Sequence, residues 1–149
     1  MTEPALNQAG SDHAEKYGFR VMHTMLRVRD LDKSLDFYTR ILGMKLLFKQ
    51  DYPEGKFTLA FVGFEDAWHR TCVELTHNWE QDEDYTHGTG YGHIALEVAS
   101  VHESCEMFER EGVSIPRPPG PMKHGSINIA FIEDPDGYKI ELVQLPEGV

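Results

Sequence analysis

Two histidines and two glutamates stand where this chain could do chemistry: His23, Glu74, His93 and Glu141. His23 opens the segment His23-Thr-Met-Leu26-Arg-Val28 and His93 opens His93-Ile-Ala-Leu96-Glu-Val98, while Glu74 lies in Val73-Glu-Leu75 and Glu141 in Ile140-Glu-Leu142. In a pleated strand successive side chains face opposite ways. Leu26 and Val28, Val73 and Leu75, Leu96 and Val98, and Ile140 and Leu142 therefore fall on apolar faces, and the two His and two Glu fall on the opposite ones. Taken singly, a strand Glu is usually solvated and a lone His usually a satisfied core or surface residue. Gathered in one cleft they are a different matter, because two carboxylates and two imidazoles are costly to bury together without a cation. A divalent metal held by two nitrogens and two carboxylates removes that cost. Such a set, without thiolate, suits a site that water expands to six ligands better than a closed structural zinc site. Ni²⁺, Co²⁺, Mn²⁺, Fe²⁺ and Zn²⁺ are all candidates.

The four residues are related by an internal repeat. His23 to Val28 aligns with His93 to Val98 at an offset of 70, and the same offset carries Ser34 onto Ser104, Arg40 onto Arg110 and Ala60-Phe61-Val62 onto Ala130-Phe131-Ile132. A small loop difference reduces the offset to 67 and places Val73-Glu74-Leu75 on Ile140-Glu141-Leu142. Each copy reads strand, helix and three further strands. In the first, Asp30 is an N-cap, Leu31, Leu35, Tyr38 and Leu42 form a helical stripe, and Gly43 is the stop. In the second, Ser100-Val-His-Glu103 is a capping box, Val101, Cys105 and Phe108 form the stripe, and Gly112 ends it. The later strands are expected at 45–49, 57–64 and 71–77, then at 127–132 and 138–144, with a weak one near 113–115. Tyr52-Pro-Glu-Gly55 and Asp134-Pro-Asp-Gly137 read as tight turns, and Arg117-Pro-Pro-Gly-Pro121 is expected to lie outside regular structure. The fold class is α+β: two tandem βαβββ modules, residues 20–78 and 90–145, whose sheets curl into partly open barrels. Residues 1–19 form a polar extension, 79–89 an acidic linker and 146–149 a tail.

Composition narrows the function classes. At 149 residues and 17.0 kDa the chain can bury about 68–70% of its unfolded surface without disulfides or structural zinc. A net charge of −11, from 14 Lys and Arg against 25 Asp and Glu, repels phosphate backbones and anionic lipid, so neither nucleic acid nor membrane is an expected partner. Cys72 and Cys105 are too few for a disulfide framework. With no apolar stretch long enough to span a membrane and no basic, then apolar, leader, a cytoplasmic location is expected.

Four separated motifs resemble a known family. His23-Thr-Met-Leu-Arg-Val-Arg-Asp-Leu with Ser34-Leu-Asp-Phe-Tyr, Val73-Glu-Leu-Thr-His-Asn-Trp79, Gly90-Tyr-Gly-His-Ile-Ala-Leu96 and Phe131-Ile-Glu-Asp-Pro-Asp-Gly-Tyr-Lys-Ile-Glu-Leu142 are similar, in order, to the signatures of glyoxalase I, the lactoylglutathione lyases of the vicinal-oxygen-chelate superfamily. The resemblance covers about residues 21–145. It implies that His23, Glu74, His93 and Glu141 are metal ligands in a homodimer, with His23 and Glu74 from one chain and His93 and Glu141 from the other. It further implies that Arg27 and Asn78 hold the γ-glutamyl end of glutathione and Lys123 its glycyl carboxylate. The implied reaction converts the methylglyoxal–glutathione hemithioacetal into S-D-lactoylglutathione, with Glu141 as principal base and Glu74 serving the opposite face or proton return. A compact chain whose first ligand is His resembles the Ni²⁺- or Co²⁺-activated bacterial type, with Zn²⁺ the other possibility.

Other signals are set aside. His87-Gly-Thr-Gly-Tyr-Gly92 precedes a strand instead of opening a helix, so it is no dinucleotide loop, and Asp134–Gly137 lacks the oxygens of a calcium loop. His13, His69, His77, His87 and His102 are expected to be solvated, as is the acidic run 80–84. Trp68 and Trp79 are candidates for an interface or a substrate pocket. The competing functions are a related dioxygenase, epimerase or thiol-transferring resistance enzyme, and a metal-free drug-binding dimer. Glu74 is surplus to the two His and one carboxylate that dioxygenases and resistance enzymes need, and four intact ligand positions disfavour the drug-binding protein.

Overall fold

Alternation along His23–Arg27 makes strand β1, with Leu26 buried between exposed neighbours. A computed structural model describes residues 7–65 and 70–148; Trp68 and His69 lie outside the described residues. Behind β1, Asp30 caps helix α2 (Leu31–Leu35) by accepting from the Lys33 amide at 3.1 Å. The helix continues through a wider turn, Asp36–Ile41, in which the Leu42 amide reaches back to the Phe37 carbonyl. Gly43, at φ +83°, ends it in a conformation that L side chains rarely adopt. Strands β2 (Lys45–Tyr52), β3 (Phe57–Gly63) and β4 (Cys72–Asn78) complete the first module. The second repeats it with β5 (Ile94–Glu97), α3 (Val101–Arg110), β6 (Arg117–Pro121), β7 (Asn128–Glu133) and β8 (Lys139–Gln144). Ser100 accepts from the Glu103 amide at 3.2 Å, as the capping box requires, and Gly112 stops α3 at φ +73°.

The repeat is a repeat of topology. One sheet runs β1-β4-β3-β2 and the other β5-β8-β7-β6, with β1 parallel to β4, β5 parallel to β8 and the other pairs antiparallel. Both are open sheets. The expectation that 117–121 lies outside regular structure is corrected, since these residues are β6, and the weak strand sought near 113–115 is displaced to them. Prolines are tolerated because β6 is an edge strand whose pairing with β7 is broken by a bulge between Arg117 and Gly120. Arg117 supplies donors that the prolines lack, giving hydrogen bonds to the carbonyls of Pro118, Gly120, Pro121 and Ile129. Within the N-terminal extension, Asn7–Tyr17 is a helix, α1. No helix among the described residues is long and apolar enough to cross a membrane.

One core serves both modules. Leu26, Val28 and Leu75 of the first sheet and Ala130, Ile140 and Leu142 of the second belong to a single buried cluster with residues of α2 and α3. A polar seam crosses it. The Tyr38 hydroxyl donates to Asp134 Oδ2 at 2.7 Å, while Asp134 Oδ1 accepts from the amides of Asp136 and Tyr138. Beside it the Arg29 amide donates to Asp136 and the Tyr138 hydroxyl donates to the Arg27 carbonyl. The turn at 134–137 is thus a turn, as expected, and also the clasp that binds β7 and β8 to the start of α2.

Burial pushes the Asp134 carboxyl up to about 6, against the hydrogen bonds from Tyr38 and the Tyr138 amide that favour its charged form. An acid bound more tightly to its proton in the folded chain contributes stability that is full below its unfolded value of 3.8 and is lost as pH rises through about 6. Denaturant unfolding of wild type and Asp134→Asn at pH 4 and pH 7 checks this: lowering the pH favours wild type over the variant by on the order of 2 kcal/mol. A stability difference independent of pH would contradict it.

Candidate functional site

His23 and Glu74 meet across adjacent parallel strands. Met25 pairs with Glu74 and His23 with Cys72, so the ligand-type residues share the sheet face opposite the core. His23 Nε2 lies 2.7 Å from Glu74 Oε2, with 30% and 14% of the side chains exposed. His93 and Glu141 repeat the geometry on β8 and the residue before β5: Nε2 to Oε2 is again 2.7 Å, with exposures of 40% and 18%. Each imidazole is flanked edge-on by the phenylalanine that pairs with its glutamate from the far side of the glutamate's strand, Phe61 at 5.4 Å from His23 and Phe131 at 5.3 Å from His93. His23 Nδ1 is buried without a hydrogen-bond partner. Packing on Phe61 and the contact with Glu74 therefore hold that ring.

The chain brings these residues together in twos and not in fours. Among the described residues, no three His, Cys, Asp or Glu side chains converge on one point. The reason is the shared core: both sheets turn their apolar faces toward it, and each His–Glu pair faces outward from its own sheet. Each pair sets one nitrogen and one carboxylate oxygen side by side. That donor set fits a first-row divalent cation, for which ligand distances of about 2.0–2.2 Å are usual.

Arg27 and Asn78 lie on the His23–Glu74 face, as strand alternation requires. Arg27 pairs with Thr76, two residues before Asn78, and is exposed. The Asn78 amide nitrogen donates to the Tyr85 hydroxyl at 3.1 Å. Lys123 is exposed in the turn between β6 and β7, separated in sequence from both pairs. The acids of the run 80–84 are exposed, as expected, although the linker makes two contacts that its composition does not suggest. Arg29 binds the Asp84 carboxylate and the Asp82 carbonyl, and the His87 ring stacks on Tyr138 at 4.2 Å with 9° between planes. His77 is half-buried, its Nδ1 at 3.3 Å from the Val28 carbonyl, whereas His13 and His102 are exposed as expected. Trp79 is partly exposed, with its indole donating to Thr58 at 2.8 Å. Thr58 pairs with His77, so that indole is tied to the sheet face opposite Asn78.

Phe61 and Phe131 were within reach of sequence reasoning, since they obey the offset of 70, but aromatic residues in strands pass for core. Tyr85, His87 and Tyr138 act through contacts distant in sequence that leave no local pattern. A cleft of about 1510 Å³ lies between α2, the linker and the turn 134–137. It is lined by none of the four ligand-type residues but by several acids of both modules and the linker, among them Asp36, Asp84, Glu111 and Asp136, so the site is located by chemistry and not by volume.

A family model described as the Glyoxalase/Bleomycin resistance protein/Dioxygenase superfamily matches residues 20–142. The chain belongs to that superfamily. Within it, the chain is 59% identical over 129 residues to a lactoylglutathione lyase of Neisseria meningitidis serogroup B, a match covering 87% of this chain and 93% of that one. It superposes on the crystal structure of glyoxalase I from Zea mays with a TM-score of 0.80 and 45% identity, covering 86% of this chain and 45% of the maize chain. The present chain thus spans about half the maize protein. The trypanothione-dependent glyoxalase I of Leishmania major matches with a TM-score of 0.73 and 43% identity over 85% of this chain and 86% of its own.

Proposed function

We propose that the chain is a lactoylglutathione lyase that isomerises the hemithioacetal of methylglyoxal and glutathione to S-D-lactoylglutathione, in the cytoplasm. The observation that carries this reading is the twofold recurrence of the His–Glu pair, at 2.7 Å in both modules, in a chain 59% identical to a lyase of that name. The reaction moves a proton from the hemithioacetal carbon to the neighbouring carbonyl carbon, oxidising the first to a thioester and reducing the second to an alcohol. Nothing is gained or lost overall, so no external oxidant or reductant is needed.

Two copies of the chain complete two sites. His23 and Glu74 of one protomer face His93 and Glu141 of its partner, because within one protomer the pairs stand on outward faces of different sheets. The four side chains hold a divalent cation, Ni²⁺ or Co²⁺ in preference to Zn²⁺, which when bound supplies positive charge beside the oxygens of the reacting carbons. Glu141 removes the proton from the hemithioacetal carbon, and Glu74 serves the opposite face or returns the proton. A carboxylate suits this task because it alternates between base and acid within one turnover. Arg27 and Asn78 bind the γ-glutamyl end, and Lys123 the glycyl carboxylate.

Glu141→Gln keeps the shape of the base and removes its proton affinity. Turnover of the hemithioacetal, followed by thioester absorbance, should fall by roughly 100-fold or more, while binding of an S-alkylglutathione remains. Wild-type turnover in that variant would rule out Glu141 as base. For the metal, apo protein reloaded with Ni²⁺ or Co²⁺ should be more active than protein reloaded with Zn²⁺; equal activity with Zn²⁺ would remove the preference.

A further inference from the structure

The His23 ring has one open edge and one closed edge. Its Nε2 lies 2.7 Å from Glu74 Oε2, and 30% of the side chain is exposed. Its Nδ1 is closed off from solvent and has no hydrogen-bond partner among the described residues. A ligating imidazole ordinarily donates its second ring N–H to a carbonyl, a carboxylate or water, and that bond fixes the orientation of the ring. His23 is without it. A second copy of the chain does not supply the bond, because an atom with no exposed surface is as far out of reach of a partner's atoms as it is of water.

What stands in place of the bond is aromatic. Phe61 pairs with Glu74 from β3, so its side chain shares the sheet face of the His–Glu pair, and its ring meets the His23 ring at 5.4 Å with 83° between planes. Phe61 is itself buried, and Phe48, its partner on β2, backs it at 6.2 Å. Close packing of rings from two neighbouring strands leaves this wall little freedom to move. Aromatic pairs at right angles set the positive edge of one ring against the negative face of the other, so the contact restrains rotation of the imidazole as well as its position.

We infer that Phe61 is a positioning residue for the metal ligand His23: its ring takes the place of the missing outer hydrogen bond and keeps Nε2 on the side of the Glu74 carboxylate. This rests on the reading of His23 as a ligand and adds what orients it. A carboxylate oxygen that binds a cation no longer accepts a hydrogen bond from Nε2, so the aromatic wall is then the constraint that remains.

The test is Co²⁺ binding to the metal-stripped full chain. Affinity is read by competition titration, and the visible absorption of the bound ion reports the arrangement of its ligands. Phe61→Leu should weaken Co²⁺ binding by about tenfold, the lower end of what loss of an outer partner costs, and should change the absorption. To separate orientation from packing, the same substitution is made in His23→Gln, whose amide oxygen can still take a cation but which has no ring to orient. In that background Phe61→Leu should leave affinity and absorption as they are in His23→Gln alone. Phe61→Ile, a better strand former, takes the place of Phe61→Leu if the leucine variant does not fold. Co²⁺ binding unchanged by loss of the Phe61 ring, or an equal loss with and without the imidazole, overturns the inference. If His23→Gln binds Co²⁺ with wild-type affinity and absorption, the reading of His23 as a ligand fails and takes the inference with it.

Discussion

Everything in this chain is arranged around one buried seam between two similar sheets. Each sheet has one apolar face, and burying both is the dominant favourable contribution available to a domain of this size. The chain does so by turning the two faces toward each other across α2 and α3, so that Leu75 and Leu142, equivalent by the repeat, are both fully buried in one cluster. Pleat geometry then leaves no choice for the other faces. The residues on them, including both His–Glu pairs, are carried outward, and the four side chains of the two pairs do not converge within one chain.

The seam also has to be polar in part, because the turn from β7 to β8 enters it with its backbone unpaired. Asp134 takes up the amides of Asp136 and Tyr138 and the Tyr38 hydroxyl, while Tyr138 and Asp136 reach back to Arg27 and Arg29. Burial shifts both the Tyr38 phenol and the Asp134 carboxyl upward; Asp134 further disfavours a charged Tyr38, while the hydrogen bond from Tyr38 partly offsets the burial of Asp134. The same turn that seals the core therefore fixes the end of β1, the strand that carries His23 and Arg27. Stability and site geometry meet at these few hydrogen bonds.

Much of this was legible in the sequence because it repeats. Single strands and single histidines are ambiguous, but an offset of 70 that carries His23 onto His93, and one of 67 that carries Glu74 onto Glu141, selects positions that local pattern alone cannot. The caps at Asp30 and Ser100 and the stops at Gly43 and Gly112 were readable for the same local reasons that make them form. Strand β6 was not, since a bulged edge strand rich in proline has neither alternation nor a full ladder, and its support comes from the Arg117 side chain. Composition reads the acidic run 80–84 rightly as solvated, its acids being exposed and the Asp84 side chain 89% so, but it misses His87, whose stacking partner Tyr138 lies across the module boundary.

The central claim is that each site draws one His–Glu pair from each of two chains, and subunit mixing tests it most directly. His23→Ala and His93→Ala are purified separately, each inactive, then unfolded, mixed in equal amounts, refolded together and loaded with metal. In a mixed dimer the His93→Ala chain supplies an intact His23–Glu74 pair to the intact His93–Glu141 pair of the other chain, restoring one site of two. With random pairing, the mixture should recover about one quarter of wild-type activity. A mixture that forms dimers and holds metal yet stays as inactive as its components would contradict a site shared between chains.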